Sequence, residues 1–195
     1  PELSIVIPFY NEERVLNKLV NQLTEKLEES EINYELILIN NGSSDKTGQI
    51  IDNLKNKKIK ALHIKRNIGY GYGVLSGLKV ASGVYIGYID GDLEVLPDDV
   101  ITVYKKAKEL DADFCKGARK IRGHGIRKLA SISYDILFFL FYGILIKQIN
   151  AKPKIIKKEL FDKLSIKSND WFIDTEILIN MIKNNVKIET VETTY

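Results

Sequence analysis

A chain of 195 residues with 29 Lys and Arg against 26 Asp and Glu carries a formal charge of only +3, too mild to argue for a nucleic-acid partner. Its one cysteine, Cys115, excludes an internal disulfide and sits among apolar neighbours in DADFCKGA, as a packed thiol does, and two histidines, His63 and His124, are too few for a zinc site of their own. The length suits one substantial core in a single domain.

PELSIVIPFY enters a strand pattern at once, with no secretory leader, and the start without Met and the stop at VETTY read as a fragment of a longer protein. LSIVIPF is a buried first strand, ended by Pro8. NEERVLNKLVNQLTEKLEES sets Val15, Leu16, Leu19, Val20, Leu23 and Leu27 at helical spacing, with Asn11 as a candidate N-cap and Glu12 and Glu13 in the first turn. YELILIN is a second strand, NGSSD a loop, KTGQIIDNLKNK a helix and IKALHIK a third strand. NIGYGYGVLSGLKVAS begins Gly-rich and becomes a helix. GVYIGYID is a fourth strand, and LPDDVITVYKKAKELD is a helix with Pro97, Asp98 and Asp99 in its first turn. ADFCKGA is a short strand. Strand and helix thus alternate through residue 118, which predicts an α/β sheet with helices on both faces. Ligands of such sheets bind outside the carboxyl ends of the strands, where PFYNEE, NNGSSD, RNIGYG and DGDLEV fall.

The second half differs. KGARKIRGHGIRK has basic residues and no acid. LASISYDILFFLFYGILIKQI is helical and strongly apolar, but its longest apolar run, 136–146, is shorter than the roughly 20 residues a bilayer span needs. NAKPKIIKKELFDKL reads as a second basic stretch, SNDWFIDTEILINMIKNN as a turn leading into a helix, and VKIETVETTY as a final strand.

Several motifs carry chemistry. Asp90-Gly91-Asp92 closes the fourth strand with two carboxylates, which suits either a turn or a divalent cation such as Mg2+ or Mn2+ held beside diphosphate oxygens. In NNGSSD, Ser43, Ser44 or Asp45 can cap the next helix, and the Asn amides can meet a nucleotide. NIGYGYG is no dinucleotide fingerprint, because it follows the third strand rather than the first, and a Walker Gly-Lys-Ser/Thr pattern is absent.

In this order and spacing, SIVIPFYNEE, LILINNGSSDKT, RNIGYGYGVLSGLKVASG and YIGYIDGDLEVLPDDV resemble the family 2 inverting glycosyltransferases of GT-A fold, nearest in look to dolichyl-phosphate mannosyltransferase and bacterial polyprenyl-phosphate glycosyltransferases. The resemblance implies a Rossmann-like three-layer α/β fold with a central mixed, mainly parallel sheet. It implies one catalytic domain over 1–195, with a nucleotide-sugar half at 1–118 and an acceptor half at 119–195, and membrane segments beyond. It implies that Pro8, Tyr10, Asn11, Glu12, Asn41, Asp45 and Asp90 bind the nucleotide sugar, that Asp90 and Asp92 handle Mg2+ or Mn2+, and that Asp92, Arg119, Asp174 and Glu176 are catalytic. Asn40 and Asn41 stand where the family has two aspartates, so the base contact loses its charge but keeps its hydrogen bonds.

The implied activity is transfer of a hexosyl or N-acetylhexosaminyl group from a nucleotide sugar to polyprenyl or dolichyl phosphate, with a uridine nucleotide favoured over GDP-mannose. A lipid phosphate is largely anionic at neutral pH, and would want cations beside an apolar surface. Arg122, Arg127 and Lys128 are the expected phosphate contacts. The apolar helix, flanked also by Lys152 to Lys158, would rest on the cytoplasmic face of the membrane. The rivals are a family 2 enzyme with a hydroxyl acceptor and a non-catalytic nucleotide-sugar-binding module. A nucleotidyltransferase lacks its expected Gly- and Lys-rich first loop.

Overall fold

The computed structural model describes residues 1–120 and 125–194, with the backbone only at 126–128. The chain runs β1 (Leu3–Phe9), α1 (Leu16–Glu29), β2 (Tyr34–Asn41), α2 (Thr47–Asn53), β3 (Ile59–Ile64), α3 (Tyr70–Val80), β4 (Tyr85–Tyr88), α4 (Pro97–Glu109), β5 (Phe114–Arg119), α5 (Ile126–Tyr142), β6 (Lys154–Lys157), α6 (Lys158–Phe161), α7 (Ile173–Lys183) and β7 (Ile188–Thr193). Among the described residues the strands form one seven-stranded sheet in the order β3-β2-β1-β4-β6-β5-β7. β1 to β4 pair in parallel, as do β5 and β7, while β6 runs antiparallel to both β4 and β5. This is the α/β sheet expected from the alternation of elements, and the mixed, mainly parallel three-layer form of it that the family resemblance implies.

Every residue of β1 is buried, because the strand has neighbours on both edges and helices on both faces. Side chains alternate across the sheet. Ile5, Ile7 and Phe9 pack with Leu19 and Leu23 of α1 and Val100 and Val103 of α4. Val6 faces the other way, with Val74 and Leu78 of α3 and Ile173 and Ile177 of α7. Truncating one such aliphatic, Leu19→Ala for instance, costs on the order of 2–5 kcal/mol through lost burial and a residual cavity.

Three local departures from the sequence reading matter. First, α1 starts at Leu16 without a side-chain cap. Asn11 instead adopts φ 58 and bonds to another loop. Second, α5 ends at Tyr142, where Gly143 takes the left-handed conformation that closes a helix and its N–H reaches the Phe139 carbonyl. Third, the basic stretch 152–158 contains β6 and is not a solvated flank. Lys152 and Lys154 are buried, Lys157 pairs with Asp111 and Asp113, and Lys158 pairs with Asp162. These lysines are therefore engaged within the protein, which corrects the expectation that they face a membrane.

α5 meets the body along a narrow stripe. Phe138 is buried, the Tyr134 hydroxyl lies 2.6 Å from Thr175 Oγ1, and the Asp135 carboxylate accepts from the Gln148 amide. Leu137, Leu140, Phe141 and Leu145 are exposed. No helix among the described residues is long and apolar enough to cross a membrane.

Candidate functional site

Four connections meet at the carboxyl ends of β1, β2, β3 and β4. The loops after β1 and β2 are knitted together by backbone donors. The Asn11 amide donates to Ser43 Oγ at 3.1 Å, the Glu12 amide to Thr47 Oγ1 at 2.9 Å and the Glu13 amide to Asp45 Oδ2 at 3.2 Å. In return Asn11 Oδ1 accepts from the Ser44 amide at 2.8 Å. Asp45 also accepts from the Thr47 amide. Burial opposes charge on Asp45, yet these bonds win and hold its carboxyl below the usual range. Asn11 and Asp45 are thus engaged in joining the two loops.

Asn40 and Asn41 close β2, and the pleat sends them to opposite faces. Asn40 Oδ1 accepts from the Ser43 amide, so its Nδ2 donates to His63 Nδ1 at 3.1 Å, which leaves His63 Nε2–H to donate to Asp52 at 2.9 Å. Asn41, 3% exposed, donates from Nδ2 to the Gly69 carbonyl at 3.1 Å, while its Oδ1 is buried with no partner. A buried acceptor in that state is costly, and Asn41 lines a pocket.

That pocket, of about 360 Å³, is lined by Pro8, Tyr10, Glu12, Asn41, Asn67, Tyr70, Asp90, Asp92 and Trp171, together with backbone at Gly69 and Gly91. Gly91 is obligatory: a Cβ there would lie 2.6 Å from the Phe9 ring and 2.7 Å from the Pro8 carbonyl, so the Asp-Gly-Asp turn lies against the end of β1. A larger groove, about 640 Å³, runs past Ile144, Leu145, Ile182 and Val186 near β7. It is lined by no carboxylate, unlike the polar pocket.

The two aspartates have different surroundings. Asp90 Oδ1 accepts from the Tyr70 hydroxyl at 2.6 Å and Oδ2 faces Lys152 Nζ at 3.5 Å. Burial and the Asp90 charge push the Tyr70 phenol well above its ordinary value, so it remains a donor. Among the described residues Asp92 accepts from a nearby backbone amide, that of Glu94, at 2.9 Å and bonds no side chain. Burial, and then the charges of Asp90 and Glu94, push its carboxyl up. Glu12 is pushed up too, by burial and then by Asp92 and Asp45. Crowded carboxylates held above their normal range form a site short of positive charge. Hard oxygen donors of this kind fit Mg2+ or Mn2+, and among the described residues neither the Glu12 nor the Asp92 carboxylate bonds a side chain. No group of three or more His, Cys, Asp or Glu among the described residues is arranged to hold a metal, so other ligands would have to come from diphosphate and water.

Arg119 ends β5, and its guanidinium lies 3.3 Å from Glu94 in the loop that carries Asp92. Its main chain is clamped by the Gln148 side chain, which donates to the Arg119 carbonyl and accepts from its amide. Asp174 and Glu176 lie away from the pocket lining. Asp174 is fully buried, bonded to Lys152 at 2.9 Å, to Lys154, and to the Tyr88 hydroxyl at 2.7 Å. Burial opposes its charge, but the two ammonium groups pull its carboxyl down to about 2. A carboxylate so neutralised has neither access nor basicity to take a proton from an acceptor. Glu176 accepts from the backbone amides of Lys167 and Ser168 at 2.8 to 3.1 Å, which pins the loop before α7. Both acids, expected to be catalytic, are bonded within the framework in this structure. Arg122 and the side chains of Arg127 and Lys128 lie outside the described residues.

The structure adds three residues. Lys152 joins Asp90 to Asp174, Tyr70 anchors Asp90, and Trp171 stacks on Tyr70 with ring centroids 4.3 Å apart and planes 8° from parallel. The sequence signal for Lys152 was the demand of Asp90 and Asp174 for a counter-charge. The glycines of NIGYGYG mark the close approach that brings Trp171 in: a Cβ on Gly69 would lie 2.1 Å from the Asn169 carbonyl oxygen.

The acidic polar pocket lies at the carboxyl edge of a three-layer α/β fold, where ligands of such sheets bind. Residues 4–166 match the family model for glycosyl transferase family 2, and the chain belongs to that family. Among curated relatives it is 34% identical over 110 residues to the uncharacterized glycosyltransferase YkcC of Bacillus subtilis, covering 55% of this chain and 34% of that protein. It is 26% identical over 170 residues to dodecaprenyl-phosphate galacturonate synthase of Rhizobium johnstonii, covering 85% of this chain and 50% of that one. The chain therefore spans about a third to a half of these relatives. Its fold is similar to mannosyl-3-phosphoglycerate synthase from Rubrobacter xylanophilus (TM-score 0.79, 21% identity, 98% of this chain and 65% of that one). It is also similar to glucosyl-3-phosphoglycerate synthase from Mycobacterium tuberculosis in complex with Mn2+, UDP-glucose and phosphoglyceric acid (TM-score 0.77, 18% identity, 97% and 69%). These structural likenesses run to phosphoglycerate sugar transferases, not to dolichyl-phosphate mannosyltransferase in particular.

Proposed function

We propose that the chain is the catalytic region of an inverting glycosyltransferase that moves a sugar from a nucleotide-sugar donor, a uridine nucleotide by preference, to a hydroxyl-bearing acceptor. The observation that carries this reading is one pocket holding both the charge-deficient Asp92 cluster and the unpartnered Asn41 Oδ1. The first suits diphosphate with its cation; the second suits the N–H edge of a base. In the reaction the acceptor hydroxyl oxygen bonds to the anomeric carbon and gives up its proton to water as the nucleoside diphosphate leaves with the bonding electrons of the anomeric C–O bond. Asp92, with Asp90 beside it, would hold Mg2+ or Mn2+, which supplies positive charge to the leaving diphosphate. Asp90, held by Tyr70 and Lys152, orients the donor, and Arg119 adds a cation at the rim through Glu94's loop. The solved relative's complex with Mn2+ and UDP-glucose supports the donor class.

A second reading takes polyprenyl phosphate as acceptor, at the cytoplasmic membrane surface. The exposed apolar residues of α5 favour it, as does the likeness to the Rhizobium dodecaprenyl-phosphate galacturonate synthase. Product analysis with a panel of nucleotide sugars separates the two. Transfer to a soluble hydroxyl acceptor or to polyprenol supports the first; transfer to polyprenyl phosphate but not polyprenol supports the second. Hydrolysis-free incubation with every donor and acceptor, yielding no product, would contradict both.

A further inference from the structure

Trp171 is out of place as a folding residue. It is 66% exposed although one ring face lies flat on Tyr70, so the other face is open. The loop that carries it is fixed without its help. Glu176 holds the Lys167 and Ser168 amides, and the Tyr72 amide donates to the Asn169 carbonyl at 3.0 Å. Gly69 and Gly71 lack the Cβ that would strike this loop's backbone at 2.1 and 2.5 Å. Tyr70, the ring beneath, is itself fixed by its bond to Asp90. The chain thus fixes a two-ring stack beside the Asp90–Gly91–Asp92 turn, with Trp171 lining the pocket and largely uncovered.

We infer that the open indole face of Trp171 receives the C–H-rich face of the donor's glycosyl ring. This rests on the donor-site reading and deepens it. In a nucleotide sugar the glycosyl carbon is bonded directly to the distal phosphate, so a ring next to the carboxylate pair that meets diphosphate is the sugar, while the base lies at the Asn41 end. An aromatic face carries negative quadrupole density that attracts the polarised C–H groups of a pyranose. Because the stack is rigid before binding, little ordering cost falls on the complex. Ring stereochemistry then matters: sugars with axial hydroxyls on that face lose the contact, which makes Trp171 a specificity determinant.

Trp171 is the only tryptophan in the chain, so its emission reports on this face alone. Acrylamide quenching would be measured with Mn2+ plus UDP or GDP, then with a panel of UDP- and GDP-hexoses, alongside calorimetry of the same ligands. At least one nucleotide sugar should shield Trp171 beyond its nucleoside diphosphate. Trp171→Leu should weaken that nucleotide sugar by about tenfold, the worth of one aromatic contact, while nucleoside diphosphate affinity stays the same. Trp171→Phe should keep most of the affinity. Equal shielding by nucleoside diphosphate and nucleotide sugar, or equal weakening of both by Trp171→Leu, overturns the inference and assigns the face to the base. Shielding by an acceptor alone overturns it in favour of the acceptor. Calorimetric silence from all nucleotides would instead overturn the donor site together with it.

Discussion

Asp90 with Asp92 and Asp174 with Glu176 are acidic pairs of the same spacing, one residue apart in sequence, yet the fold treats them in opposite ways. Every oxygen of Asp174 is matched by an ammonium or a phenol, and Glu176 is spent on two backbone amides. Asp92 has one backbone amide and two neighbouring carboxylates. The difference separates architecture from function. Charge that the chain itself neutralises holds the sheet and α7 together; charge that it leaves unbalanced is what the proposed donor site would use. Lys152 touches both sides of the divide, lying 2.9 Å from Asp174 and 3.5 Å from Asp90.

The largest effect should come from the neutralised pair. Asp174→Ala strands Lys152 and Lys154 in the core, and breaking a buried ion pair costs roughly 3–5 kcal/mol. Thermal unfolding should fall by about 10 °C or more, with activity per folded molecule at low temperature largely kept. An unchanged melting temperature would break the comparison. The linkage has a definite sign. With its carboxyl lowered from 3.8 to about 2, Asp174 stabilises fully above pH 3.8, and this contribution is lost as pH falls through about 2. The variant should lack that acid limb.

The unbalanced pair should show the reverse. Asp92→Asn should lower kcat/KM by about 100-fold or more, the scale of losing one charge-stabilising contact in the transition state, while the melting temperature holds or rises as repulsion with Asp90 and Glu94 is relieved. Arg119→Ala should lower kcat/KM by about 100-fold at most, with a small stability loss because Glu94 is only part-buried. Full activity would remove Arg119 from the account. Asn41→Asp should have the smallest effect, a several-fold shift in preference between uridine and guanosine diphosphates, measured calorimetrically. A change in stability alone would mean that Asn41 only holds Gly69.

Most of the fold was legible because β1, β2 and β4 are dense apolar runs bounded by turn residues, and α1 and α4 have clean helical periodicity. β6 was not legible. Lys154-Ile-Ile-Lys157 reads as solvated in isolation, and only Asp174, twenty places on, makes Lys154 buriable. The pocket was partly legible: Pro8, Tyr10, Glu12, Asn41, Asp90 and Asp92 line one cavity. Asn11 was read as a helix cap, and instead accepts from the Ser44 amide, because its left-handed backbone turns the side chain toward the β2 loop. Tyr70 and Trp171 were hidden because their partnership crosses a hundred residues and depends on the bareness of Gly69 and Gly71.

The central claim is that Asp92 and its neighbours form a cation-requiring donor site. It is tested most directly by calorimetric titration of UDP into the wild-type protein and Asp92→Asn, with and without Mn2+. Binding by the wild type that strengthens at least tenfold with Mn2+, and loses that gain in the variant, is the predicted result. Equal affinity with and without the cation, or an Mn2+ gain that survives in Asp92→Asn, would contradict it.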